Sequence, residues 1–264
     1  MINRGIFPGF FTMGNAVCGF LSILSAFEGN FSWACWFIIL AGFLDALDGK
    51  VARLSRTTSQ FGVELDSLAD FLSFGVAPAI LLYATKLNTL GKWGWILSVI
   101  YIMASSYRLA RFNLMADTEE KREFLGLPVP AAALVLVSFV VMCMHLYGEL
   151  RYDELLIAMI FLCSFLMVSQ VQYDALPDRF NSWYDRFKVA VLAVFLIVIV
   201  ISVLVNGQLF NYRVLLFPFI GLYILSGIVR EFLRLSTVGV GKVTRRPYRR
   251  RASDRVKDRS DGDE

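Results

Sequence analysis

Four aspartates in this sequence have the residue type and spacing for metal-assisted chemistry. Asp45 and Asp48 are three residues apart, Asp66 and Asp70 are four apart, and the run joining them reads DALDGKVARLSRTTSQFGVELDSLAD. On helices, either spacing puts two carboxylates on one face about one turn apart. Two such pairs at the facing ends of neighbouring helices form a cluster of four negative charges, which repel one another unless cations intervene. An all-oxygen site suits a hard divalent ion, magnesium or manganese, and two ions balance four carboxylates. A plain charged loop between helices is the competing account. Against it, the apolar pattern runs up to Asp45 and resumes between Asp66 and Asp70, which puts the acids on helices.

The elements that must position this cluster are apolar. Of 264 residues, 57% are hydrophobic and only 18% charged, and mean hydropathy is +0.60. A soluble domain of that length needs more charge to cover its surface. Runs of membrane-spanning length recur, so the expected fold class is all-α: a polytopic membrane protein with about eight transmembrane helices. The spans fall at about 6–27, 31–49, 63–85, 93–112, 129–147, 154–171, 189–205 and 213–231. The first is long enough to cross and has no convincing processing site, so it reads as a retained span rather than a cleaved signal.

Local chemistry marks the joints. Glu28-Gly29-Asn30 reads as a tight turn, and Thr57, Thr58 and Ser59 interrupt the apolar run, with Thr58 or Ser59 available to cap the third span. Gly75 and Pro78 suit a bend within that span. Residues 116–127 form a charged link, and residues 172–188 form an amphipathic, aromatic-rich connector. One membrane domain, 1–235, is expected, followed by a basic tail, 236–264, whose composition reads as disordered. Such a tail beside a membrane helix suits anionic headgroups better than nucleic acid, and no nucleic-acid partner is expected.

Cys18, Cys35, Cys143 and Cys163 lie inside apolar runs without metal-ligand spacing and read as packing residues. His145 is the only histidine, which excludes a histidine-rich metal site. All of the 26 Lys and Arg residues except Lys86, Lys92, Arg151 and Arg213 fall on the side of the aspartates. By the positive-inside rule, both termini and the cluster then face the cytoplasm of a multi-pass cell-membrane protein.

The order Asp45, two residues, Asp48-Gly49, two residues, Ala52-Arg53, eight residues, Gly62, three residues, Asp66, three residues, Asp70 fills every fixed position of one signature. In this the chain resembles the CDP-alcohol phosphotransferases. FLSFGVAPA at 71–79, YRLARFN at 107–113 and GLPVPAA at 126–132 resemble the serine-using branch in particular, and the likeness runs over about residues 5–235. The resemblance implies the family's membrane-embedded helical fold, a homodimer, and transfer of the phosphatidyl group of CDP-diacylglycerol to the hydroxyl of L-serine, releasing CMP. It implies magnesium or manganese held by Asp45, Asp48, Asp66 and Asp70, with Asp70 also the general base. With no Cys or His nucleophile near the cluster, direct attack is expected, as the family's chemistry also implies.

The remaining candidates carry two readings each. Asn15 is a polar residue in the first span, suited either to an interhelical hydrogen bond or, as the resemblance implies, to the bound nucleotide. Gly49, Ala52 and Gly62 are small where a nucleotide or a neighbouring helix approaches, and Arg53 is either a diphosphate contact or an ordinary interfacial arginine. Arg108 and Arg111 either snorkel to headgroups or receive the carboxylate of serine, with Asn113 beside its ammonium. Two rival functions stay open: the same transfer to glycerol phosphate or an inositol phosphate, or a cation pathway without catalysis. Transport needs access from both faces, whereas all four aspartates gather toward one.

Overall fold

Where each helix stops is set by its local chemistry. The computed structural model describes residues 6–55, 60–116, 124–169, 171–173, 213–222 and 224–225, and the structural statements that follow concern these. The first helix, α1 (Ile6–Phe27), ends in a left-handed Gly29 with φ 76°. Asn30 N–H bonds Ser25 C=O at 2.8 Å and Gly29 N–H bonds Ala26 C=O at 3.2 Å, a Schellman closure that satisfies carbonyls left over at the helix end. The turn is tight enough for α2 (Phe31–Ser55) to run straight back along α1.

The third expected span is one apolar stretch, Gln60–Thr85, built in three pieces. These are α3 (Gln60–Asp70), a π-helical turn (Phe71–Val76) and α4 (Ala77–Thr85). Pro78 explains part of this. It has no N–H, so the carbonyl four residues earlier, at Phe74, loses its α-helical donor. Tyr101 O–H, buried on the next long helix, α5 (Lys92–Ala116), donates to that Phe74 oxygen at 3.0 Å. A polar backbone atom at membrane depth is thereby satisfied from the neighbouring helix.

After a short 3-10 turn (Leu87–Leu90) come α5 (Lys92–Ala116), α6 (Val129–Tyr147), α7 (Asp153–Val168) and α8 (Arg213–Leu222). Two-residue strands, Phe124–Leu125 and Gln172–Tyr173, pair antiparallel and bring the chain before α6 beside the chain after α7. Four stretches are long and apolar enough to cross a membrane: Gly9–Phe27, Phe31–Gly49, Gln60–Thr85 and Val129–Tyr147. The fold is all-α and membrane-associated. Helix α5 has the length, 25 residues, but tryptophans, serines and two arginines dilute it, and α7 has only 16 residues. The expected seventh span, the last part of the eighth from 226 on, the 174–188 part of the connector, the 56–59 break and the tail lie outside the described residues.

Lipid tails are as apolar as leucine, so helices here are held by close contact and polar links rather than by expulsion of water. Ala34, Ala41, Ala77, Ala132 and Ala133 are fully buried at helix crossings. A side chain at Gly75 would place its Cβ 2.7 Å from Ser105 Oγ, so α5 rests directly on the π turn. At one end of the bundle, Lys86 meets Asp153 at 3.1 Å and Trp95 Nε1–H donates to Tyr83 Oη at 2.6 Å. The aspartates occupy the other end.

Candidate active site

Three helices converge on the cluster. Asp45 and Asp48 lie near the end of α2, and Asp66 and Asp70 lie on α3, with Asp70 as the last residue before the π turn. Asp45, Asp66 and Asp70 each offer one carboxylate oxygen, and these oxygens all lie within 4.8 Å of one another. Asp48 takes a different partner: its Oδ2 accepts the hydroxyl of Thr12 on α1. One turn further along α1, Asn15 Nδ2–H donates to Asp70 Oδ1 at 2.9 Å. Helix α1 therefore supplies no carboxylate but holds one from each of the other two helices.

The backbone of α1 is itself fixed there. Ser73, in the π turn, donates to the Asn15 carbonyl at 2.9 Å, and Gly19 lets the two segments touch, because a Cβ on it would lie 2.8 Å from Ser73 Cα. Asp48 and Asp70 are buried, Asn15 is wholly so, and Asn15 Oδ1 has no hydrogen-bond partner. A buried amide oxygen left unsatisfied is costly, and this one belongs to the side chain that holds Asp70. Hard oxygen donors alone, three of them convergent and drawn from two helices, fit magnesium or manganese and not a soft-ligand metal.

The other expected site residues fall into two groups. Gly49 faces open space, and Gly62 is half-buried on α3. Ala52 and Arg53 lie on α2, but their side chains are outside the described residues. Arg108 is buried, its guanidinium 5.1 Å from the centre of the Phe112 ring. Arg111 Nη1–H and Nη2–H donate to the carbonyls of Val168 and Ser169 at 3.0 Å each, capping the C-terminal end of α7 where a cation is favoured. Asn113 Nδ2–H donates to Ser67 Oγ at 2.9 Å, tying the end of α5 to the turn of α3 between Asp66 and Asp70. Gly19 is a small residue of the first span suited to close helix contact, and the structure uses it so; Thr12, Ser67 and Ser73 are not marked by spacing. Thr12 had a legible signal: a hydroxyl three residues before Asn15, on the same face of an apolar span.

Residues 5–171, from α1 through the whole of α7, match the model of the CDP-alcohol phosphatidyltransferase family. The chain belongs to that family. Over 230 residues it is 35% identical to the CDP-diacylglycerol–serine O-phosphatidyltransferase of Helicobacter pylori, covering 85% of this chain and 90% of that protein. It is 37% identical over 168 residues to the enzyme of the same name from Bacillus subtilis, covering 63% of this chain and 88% of the relative. An archaetidylserine synthase of Methanothermobacter thermautotrophicus is also 37% identical over 168 residues, covering 63% and 68%. The family assignment makes this chain a CDP-alcohol phosphotransferase, and its acidic cluster is the place where a divalent ion fits.

Proposed function

We propose that this chain transfers the phosphatidyl group of CDP-diacylglycerol to the hydroxyl of L-serine, giving phosphatidylserine and CMP. The observation that carries the proposal is the convergence of Asp45, Asp66 and Asp70 at one end of a membrane bundle, in a chain similar to serine O-phosphatidyltransferases. Asp45, Asp48, Asp66 and Asp70 would hold two magnesium or manganese ions. The chemistry a bound divalent pair supplies is neutralisation of the diphosphate and acidification of the acceptor hydroxyl.

The protein's own groups do the rest. The hydroxyl oxygen of serine forms a bond to the phosphorus that bears diacylglycerol, the bond from that phosphorus to the CMP oxygen breaks, and the hydroxyl proton passes to Asp70. Asn15 fixes one oxygen of Asp70 and so turns the other toward the acceptor. Gly49, Ala52 and Gly62 leave room for the nucleotide, and Arg53 reaches the diphosphate. Both substrates enter from the cytoplasmic face, where the basic residues place the cluster, and two such chains form a homodimer.

Among the acceptor residues we assign the serine carboxylate to Arg108. Tyr101 meets Phe74, Ser105 lies against Gly75, and Asn113 meets Ser67, so α5 runs antiparallel to α3 and its following turn. Interpolation between the last two of these pairs puts Arg108 level with Leu72, within one helical turn of Asp70. Arg111 acts through the end of α7, and Asn113 through α3. Arg108→Ala is expected to raise the serine KM about 10–100-fold, the loss of one charged hydrogen bond, with the CDP-lipid KM within about threefold. The reverse pattern in steady-state kinetics would move Arg108 to the diphosphate.

The direct test is CMP release by purified protein given CDP-diacylglycerol, a divalent cation and a panel of alcohols. Serine should support turnover at least about tenfold faster than glycerol phosphate or inositol phosphate, and a chelator should abolish it. Preference for a phosphorylated acceptor would overturn the serine assignment while keeping the reaction class.

A further inference from the structure

The family signature accounts for the aspartates but not for the hydroxyl that meets one of them. Thr12 lies on α1, 36 residues before Asp48, and belongs to no part of the signature. It is buried, as is Asp48, and its hydroxyl donates to Asp48 Oδ2. Asp48 is also the one signature aspartate outside the convergent group of three. We propose that Thr12 is a positioning residue for the carboxylate centre: its hydroxyl ties down one oxygen of Asp48 and leaves the other to serve as a ligand for the second of two divalent ions. This rests on the reading of the four aspartates as a two-ion site.

The surroundings support that role. A carboxylate in an apolar span has few groups to restrain its rotation, so a single hydroxyl decides where its second oxygen points. The donor is fixed in turn, because α1 is held to the π turn by Ser73 and by the close approach at Gly19. Asn15, on the same face of α1, does for Asp70 what Thr12 does for Asp48. The two links set α2 and α3 in register with each other through a helix that carries no ligand. Hydrogen-bond partners of metal-binding carboxylates change metal affinity by about 10–100-fold when removed. A threonine acting only in packing would leave affinity unchanged when replaced by valine, which has nearly the same shape.

The test is manganese binding to the full chain in nanodiscs, followed by electron paramagnetic resonance without substrate. Wild type should bind two ions. Thr12→Val should weaken the second by about 10–100-fold and leave the first within about threefold, and Thr12→Ser should restore wild-type binding. Thr12→Ala replaces the valine variant if that protein does not fold. In an Asp48→Asn background, removing the hydroxyl should have no further effect, since Thr12 acts through Asp48. Unchanged affinities in Thr12→Val, or an additive loss on top of Asp48→Asn, would overturn the role of Thr12. Wild-type protein that binds no manganese would instead overturn the centre itself.

Discussion

Replacing Asp70 with asparagine is expected to lower kcat by about 10²–10⁴-fold, the usual contribution of a positioned general base, while CDP-lipid binding stays close to wild type. The substitution is nearly isosteric. Asparagine keeps an oxygen in place of Asp70 Oδ1, so the 2.9 Å bond from Asn15 has an acceptor after the change. What is lost is the negative oxygen that takes the proton of the acceptor hydroxyl. Measuring CMP release alongside lipid binding separates chemistry from affinity, and a parallel manganese titration separates loss of the base from loss of an ion. Near-native turnover would remove Asp70 from the base role and leave it as a ligand or a structural acid.

The same residue shows what sequence could and could not reveal. That Asp45, Asp66 and Asp70 lie on helices and converge was legible, because carboxylate spacing and apolar phase both repeat with the helical period. The bounds of α1 and α6 coincide with the expected spans at 6–27 and 129–147, since turn glycines and Pro128 set their ends. Helix α2 runs to Ser55 rather than stopping near residue 49, because helical hydrogen bonding continues after the apolar run ends.

Other features depend on partners distant in sequence. The π turn follows from the missing donor at Pro78 together with a tyrosine 23 residues away in the next helix, and a hydropathy pattern records neither. Arg111 reads as a headgroup or substrate contact only until the end of α7, 57 residues on, is placed against it. Gly126 sits in that same junction with φ 80°, where a Cβ would fall 2.6 Å from the Met167 carbonyl and 2.7 Å from Arg111 Nη2. In each case the local sequence states a capacity, and the fold decides which partner uses it.

Gly19 connects packing to turnover most directly. Gly19→Leu is expected to cost about 1–3 kcal/mol of stability, as overpacking does, and to lower kcat by about 10²-fold, the usual effect of misplacing a reacting group by about 1 Å. Its Cβ would lie 2.8 Å from Ser73 Cα, a backbone atom that cannot rotate away, so α1 must move off the π turn. That motion carries Asn15 from Asp70 and Thr12 from Asp48 in one step, because both side chains ride on α1. Gly9 provides the control on the same helix: nothing lies within 4 Å of a Cβ placed there, so Gly9→Leu should be nearly silent. Thermal unfolding and CMP release on both variants separate the two consequences. If Gly19→Leu lost stability but kept wild-type kcat, the aspartates would hold their geometry without α1, and its two polar side chains would be restraints on folding rather than on the site.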